Sequence, residues 1–405
     1  MGYVGLRYSL AAILLSGCAH VAPLTPVQQE TLADATELCA LVREEYIYFA
    51  ERKTGWDAAC GNPSAMIAPV TDRAEQLRAL ETLADVLHDP HISFGTNSAL
   101  SPRLVPSGSD YWLDGPRVVA VRQGSAAAKA DLRIGDIVVA VNGMALEDAL
   151  RARLQPAGVL YSAEQESWAL NAAVAGHWNV PRSVTVSRTD GLETLSLASE
   201  ASGEEIAPLS ATLIDGSIGY IRFHDSLGDS DTVAAFDAVM NTLKDARFWI
   251  IDLRDTPGGG STDVAEPILG RFLAEPAEYQ RVRPADAPEW TKISEPYGDW
   301  TAEGPVAVLV GRWTGSMGEG LAIGFDGTGR GEVFGSDMAR LAGGVDEFKL
   351  SQTGFSIRIP TYDLAHMNGT PRHEWSPPYP VLADNGGGPD LALQAARDWF
   401  ASFEQ

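Results

Sequence analysis

The chain has 405 residues, of which 45% are hydrophobic, and its formal net charge is -24. A chain of this length buries enough apolar surface for two or three domains. Its acidity argues against nucleic-acid binding, because no basic stripe is present to replace the counterions of a phosphate backbone. The seven histidines lack metal-binding spacing and the glycine-rich segments lack the lysine of a phosphate loop, so we expect no metal and no cofactor.

The N-terminus indicates export. Arg7 precedes an apolar segment, residues 10–15, that is too short to span a bilayer. The text Leu15-Ser16-Gly17-Cys18 resembles the lipobox of bacterial lipoproteins. That resemblance implies a signal peptide over residues 1–17, acylation of the Cys18 thiol, and a lipid anchor in the cell envelope, at the outer membrane and facing the periplasm. An ordinary secretory signal with an incidental cysteine is the alternative.

The two remaining cysteines, Cys39 and Cys60, form an even pair in a compartment that permits disulfides. We expect them to bridge the N-terminal helical region, which we assign to residues 18–105. Two separate buried thiols are the alternative, since connectivity does not follow from sequence.

Apolar residues recur at helical spacing between Thr25 and Leu100. The second predicted helix runs into Leu87-His88-Asp89-Pro90-His91, where the proline should end it. His91 is therefore expected on a turn, just beyond a helix end.

Residues 106–202 are assigned to a second module. Residues 118–121 indicate a strand, 126–130 a short helix, and 132–143 a turn, a strand and a tight Asn-Gly turn. This text resembles a PDZ domain, with Asp131 where the family usually has glycine, a residue type that tolerates positive φ. The resemblance implies that extended peptides bind by strand addition. A spacer of the same fold is the alternative.

Residues 203–405 alternate between strands and helices, which predicts an α/β layered domain. Predicted strands cover residues 218–223 and 248–253, and predicted helices cover residues 233–243 and 264–273. Ligand sites in such sheets gather where strands end and helices begin.

One such junction contains Ser316, between an apolar run at 305–310 and a helix-like segment at 317–325. A strand that enters a helix through a tight turn presents the serine at the positive end of the helix dipole, beside free N–H groups. We therefore interpret Ser316 as a nucleophile. The same Ser316 and Glu319 also form a capping box, which is a common helix start.

The motifs, taken in order, resemble the tail-specific serine peptidase family, which includes the C-terminal processing peptidases and the tricorn core. The resemblance rests on Leu87–His91, the PDZ-like module, residues 250–259, residues 306–319 and Pro389–Leu393. It implies an α/β multidomain protein with a crotonase-like (ββα-repeat) catalytic domain, and peptide hydrolysis through an acyl-enzyme. It also implies that Ser316 is the nucleophile, and that the Met317 N–H and either Gly258 or Gly259 form the oxyanion hole.

The base differs between the two groups of this family. C-terminal processing members use a lysine downstream of the serine, and here the matching segment has none. Arg340 cannot replace it because its guanidinium stays protonated. Lys349 is a distant substitute.

Tricorn-type members use a histidine from the N-terminal region and a glutamate from the C-terminal tail. That resemblance implies His91 as base and Glu374 as the acid that orients it, with His88 as a rival to His91. With a carboxylate beside His91, we expect activity to fall as the pH drops, with a midpoint at or above the ordinary histidine pKa of about 6.5.

The sequence thus predicts a cell-envelope serine endopeptidase that acts on polypeptides, with a histidine base. A non-catalytic peptide-binding scaffold is one alternative, because the lysine is missing. A carrier of apolar small molecules in the cleft between domains is the other.

Overall fold

The computed structural model describes residues 23–154, 159–199, 207–381 and 389–404. The predicted signal peptide and Cys18 lie outside the described residues. Among the helices of the described residues, none is both long and apolar enough to cross a membrane.

The chain opens with a helical region in which Thr25 and Asp72 cap the two long helices through their side chains. The structure joins Cys39 to Cys60 in the predicted disulfide, which links the first helix to the third. The helices are α1 (Pro26–Glu45), α2 (Phe49–Arg52), α3 (Trp56–Gly61), α4 (Ser64–Ile67) and α5 (Arg73–Ala84), followed by a 3-10 turn (Asp85–Leu87) and strand β1 (Ser93–Phe94).

The second module is an antiparallel sheet in the order β2-β3-β4-β6-β7, with β5 paired to β4. Asp131 has a φ of 63°, the positive value that the sequence predicted it to accept. Its elements are β2 (Tyr111–Asp114), β3 (Arg117–Val121), α6 (Ala126–Lys129), β4 (Ile137–Val141), β5 (Met144–Ala145), α7 (Leu146–Arg153), α8 (Ala163–Ala175), β6 (Arg182–Arg188) and β7 (Gly191–Leu197).

The third region is the predicted α/β layered domain. Its first part contains β8 (Leu209–Ile214), β9 (Ile218–Phe223), α9 (Asp231–Thr242), β10 (Phe248–Asp252), α10 (Thr262–Gly270), β11 (Ala277–Pro284), β12 (Trp290–Ser294), β13 (Val306–Val310) and α11 (Met317–Gly327). Its second part contains β14 (Gly331–Gly335), β15 (Gly344–Lys349), β16 (Ser356–Ala365), a 3-10 turn (Arg372–Glu374), β17 (Tyr379–Pro380) and α12 (Leu391–Ala401).

The main sheet has the order β17-β14-β13-β10-β9-β8, and it is parallel except for the β8–β9 pair. Every residue of β10 and β13 is buried, because helices or neighbouring segments cover both faces of these central strands. The continuous apolar runs of these two strands follow from that double burial.

The N-terminal helical region does not have a core of its own. Strand β1 pairs with β16 in a second sheet, and residues of α1 and α5 share one apolar core with β16. Asp34 of α1 accepts the backbone N–H groups of Gln352 and Thr353 at 2.9 and 2.8 Å. The residues after α5 are therefore held against the α/β domain, through a strand that lies more than two hundred residues further along the chain.

Candidate active site

Ser316 lies on the sharp turn between β13 and α11. Its φ of 49° and ψ of -108° lie outside the regions that residues with a side chain normally adopt. Its backbone N–H donates to the Glu319 carboxylate at 2.8 Å, across the first turn of α11. The half-buried serine side chain therefore stands at the strand-to-helix junction, where the sequence placed it.

The loop after β10 packs directly under this turn. The Gly315 N–H donates to the Thr256 carbonyl oxygen at 2.8 Å, and a Cβ on Gly315 would lie only 2.6 Å from the Pro257 carbonyl oxygen. Only glycine allows this approach of two backbones. The junction of β10 with its glycine loop is thus brought to the nucleophile turn.

Of the two glycines predicted for an oxyanion hole, Gly258 is the neighbour of Ser316. A Cβ on Gly258 would lie 3.9 Å from the Ser316 Cβ, whereas a Cβ on Gly259 would instead meet Ser226 at 3.8 Å. Met317 is the first residue of α11, where a backbone N–H has no intrahelical acceptor. Backbone from Gly258 and from Met317 therefore lies next to the serine.

His91 reaches the same place from the N-terminal region. Its Nε2 lies 3.1 Å from the Ser316 Oγ, and its Nδ1 lies 2.8 Å from the Ala342 carbonyl oxygen. Because a carbonyl only accepts, Nδ1 carries the proton and Nε2 is left to accept from the serine hydroxyl. The backbone N–H of His91 donates to Asp89 Oδ1 at 2.8 Å, and the Tyr46 hydroxyl donates to the other oxygen of Asp89.

The electrostatics of the site keep His91 neutral. Burial lowers the pKa of His91 to about 4, and the nearby Arg372 guanidinium acts in the same direction. The ring is 8% exposed. At neutral pH the imidazole is therefore uncharged and able to accept a proton.

The structure does not bring Glu374 to His91, contrary to the sequence-based expectation. The Glu374 side chain is 61% exposed and lies 3.9 Å from His373, whereas the Ala342 carbonyl occupies the Nδ1 side of His91. In the 3-10 turn that carries Glu374, Arg372 is the residue that points inward. Its Nη2 donates to the Leu341 and Gly343 carbonyl oxygens at 2.8 and 2.6 Å. A backbone carbonyl orients the ring without the desolvation cost of a second buried charge.

The two rival bases lie elsewhere. The His88 ring is buried against the edges of Tyr161 and Trp168, with ring centres 5.0 and 5.2 Å apart. Lys349 is exposed at the end of β15, paired with Ser356 of β16. Neither contacts the serine that faces His91.

Sequence reasoning missed the Ala342 carbonyl and Arg372. A backbone carbonyl has no sequence signature, because every residue supplies one. Arg372 lies two residues before the predicted Glu374, but nothing in the sequence indicates which of the three side chains at 372–374 turns inward.

The free edge of the PDZ-like sheet is partly occupied. Strand β2 is the edge strand, and Asn171 of α8 accepts the Leu113 N–H at 2.8 Å and donates to the Leu113 carbonyl at 3.1 Å. These are the groups that an added strand would use. Strand addition at this part of β2 therefore requires displacement of Asn171.

A cleft of about 490 Å³ lies between the helical region, the PDZ-like module and the α/β domain. Pro90 and Ala339, close in sequence to His91 and Ala342, form part of its wall together with Trp112 and Arg312. Among the described residues, no group of three or more histidine, cysteine or acidic side chains could hold a metal ion.

Comparison with known proteins agrees with this architecture. Residues 217–377 match the sequence model of peptidase family S41, and residues 117–156 match that of the PDZ domain. No curated protein matches the chain.

Three solved structures resemble the chain over nearly its whole length. Mature CPAF is 14% identical, with a TM-score of 0.60 over 93% of this chain and 96% of that one. The photosystem II D1 C-terminal processing protease is 20% identical, with a TM-score of 0.53 over 88% and 94%. A lipoprotein from Streptococcus agalactiae is 12% identical, with a TM-score of 0.50 over 94% and 99%. At these identities the likeness concerns the fold.

The fold and the family match define a serine peptidase. The matches of residues 217–377 to peptidase family S41 and of residues 117–156 to the PDZ domain confirm the predicted enzyme class and the predicted resemblance. As a peptidase it binds polypeptide substrates.

Proposed function

We propose that the protein is an endopeptidase of the cell envelope that hydrolyses peptide bonds through an acyl-enzyme, with His91 as general base. The observation that carries the proposal is the 3.1 Å contact between His91 Nε2 and Ser316 Oγ. It supports a serine–histidine pair in place of a serine–lysine pair, because the ring nitrogen that contacts Ser316 Oγ belongs to a histidine.

The reaction follows from the geometry. Ser316 Oγ attacks the peptide carbonyl while its proton passes to His91 Nε2, and the oxyanion is bound by the backbone N–H groups of Met317 and Gly258. His91 then gives the proton to the leaving amine, and a water molecule releases the acyl group by the reverse sequence.

The experiment that tests this proposal is labelling of the purified protein with a fluorophosphonate probe, followed by hydrolysis of an unfolded protein substrate. We expect labelling at Ser316, loss of the label in Ser316→Ala, and strongly slowed labelling in His91→Ala. A protein that is folded but neither labelled nor hydrolytic would favour the peptide-binding scaffold or the apolar carrier.

The proposed location rests on the lipobox-like text and on the disulfide. A disulfide between Cys39 and Cys60 suits an oxidising compartment. We expect metabolic labelling with palmitate to tag the protein, and Cys18→Ser to remove the tag. An exported protein that is cleaved at another position and carries no lipid would contradict the anchor.

A further inference from the structure

Glu319 is a charged residue in an unusual place. Its side chain is fully buried on the first turn of α11, and its carboxylate accepts three backbone N–H groups. They belong to Ser316 at 2.8 Å, Arg340 at 2.8 Å and Leu341 at 3.2 Å. A buried carboxylate is tolerated only where such bonds replace its hydration, so these contacts form a fixed part of the site.

Two of these three donors have strained backbones. Ser316 has a φ of 49° and Arg340 a φ of 60°, which are uncommon for residues with a side chain. Such conformations persist only where the surroundings fix them. The Glu319 carboxylate holds the N–H group of both.

The segment 340–343 is fixed from its other side as well. Arg372 binds the carbonyl oxygens of Leu341 and Gly343, which flank the Ala342 carbonyl. The Ala342 carbonyl is the group that contacts His91 Nδ1. The position of the histidine ring therefore depends on a segment whose N–H groups face Glu319 and whose carbonyls face Arg372.

We propose that Glu319 is a positioning residue, whose carboxylate fixes Ser316 directly and fixes His91 through the segment 340–343. This inference rests on the proposed function. A conventional triad places a carboxylate on the histidine itself. Here the Glu319 carboxylate binds the neighbouring backbone segment, and the Ala342 carbonyl of that segment contacts the histidine.

The first test is Glu319→Gln, which nearly preserves shape but sets an amide N–H₂ against a backbone N–H donor. At least one of the three bonds is lost, so we expect kcat to fall by about a hundredfold, the scale that a misplacement of about 1 Å produces. KM should stay within about twofold, because Glu319 binds backbone and does not face substrate. Glu81→Gln is the matched control, since Glu81 is also buried and its pKa is also raised to about 7 by burial.

A double-mutant cycle separates positioning from general destabilisation. If Glu319 acts largely through His91, Glu319→Gln should cost about threefold or less in the His91→Ala background. Arg372→Gln should follow the same pattern, and it serves as the second variant if Glu319→Gln fails to fold. An equal loss in both backgrounds, an unchanged kcat, or a loss confined to KM would each overturn the proposal.

A readout that needs no turnover keeps this inference distinct from the proposed function. Nitrogen-15 NMR of the histidine rings should show His91 protonated at Nδ1 alone in the wild type, and a mixture of tautomers in Glu319→Gln. An unchanged tautomer in the variant would overturn the positioning role. Absence of any Ser316-dependent hydrolysis by the wild type would instead refute the proposed function.

Discussion

Acidification is the most direct test of the buried base. Burial lowers the pKa of His91 from 6.5 to about 4, and the neutral ring is the form that accepts the Ser316 proton. Titration of His91 alone should therefore leave acylation near its maximum from neutral pH to about pH 5 and lower it about tenfold per pH unit below about pH 4. Glu319, whose pKa burial raises to about 7, should add a separate fall near neutral pH, towards the rate of Glu319→Gln. The expectation of a midpoint at or above 6.5 depended on Glu374 and does not follow from this structure.

The shift in the pKa of His91 also makes the free energy of unfolding depend on pH. At 1.36 kcal/mol per pH unit, the fall in the pKa of His91 corresponds to roughly 3 kcal/mol. In the unfolded chain His91 binds a proton near pH 6.5, and in the folded chain only near pH 4. The contribution of His91 to the free energy of unfolding is therefore fully present above about pH 6.5 and is lost as the pH falls towards 4. His88, whose pKa burial also lowers to about 4, acts in the same direction.

The assay must therefore follow activity and folding together. We would measure the rate of fluorophosphonate labelling between about pH 3 and 8 (about one point per half unit), with near-ultraviolet circular dichroism at each pH. Glu374→Gln is the control, and its profile should match that of the wild type because Glu374 is exposed and away from His91. The same profile is measured in Glu319→Gln, which removes the titration of Glu319. A midpoint at or above 6.5 in Glu319→Gln protein that is still folded would refute the reasoning about His91.

Two further results are expected. Ser316→Ala and His91→Ala should each lower kcat in peptide hydrolysis by roughly 10⁴, with little additional loss in the double variant. Lys349→Ala should retain wild-type turnover, and the reverse pattern would identify a lysine base. Replacement of Cys39 and Cys60 by serine should lower the free energy of unfolding by about 3 kcal/mol in urea titrations. The reason is that the disulfide closes a loop with a sequence separation of 21 and so restricts the unfolded chain. An unchanged urea midpoint would contradict this argument.

The nucleophile side of the site was predictable because its chemistry is local. A buried strand, a glycine turn and a helix start are all visible in the text around Ser316. The same holds for the glycines after β10, although only the structure distinguishes Gly258 from Gly259. Short-range backbone rules were sufficient for this part.

The base side was predictable only in part. His91 was found by its place after a helix end and by resemblance, but its partner depends on tertiary packing. Which of Arg372, His373 and Glu374 turns inward is decided by the neighbouring carbonyls of segment 340–343, and these leave no trace in sequence. The shared core of the N-terminal helices with β16 was missed for the same reason, since its contacts join distant parts of the chain.

The pairing of β1 with β16 also sets an order of events during synthesis. Histidine and serine are 225 residues apart, and the strand that fastens the histidine-bearing segment to the rest of the enzyme lies beyond both of them in the chain. A nascent chain that has emerged only as far as the nucleophile turn still lacks this strand. Since contacts of such long range form only once their distant parts are present, the serine–histidine pair is not assembled in a nascent chain that ends before this strand.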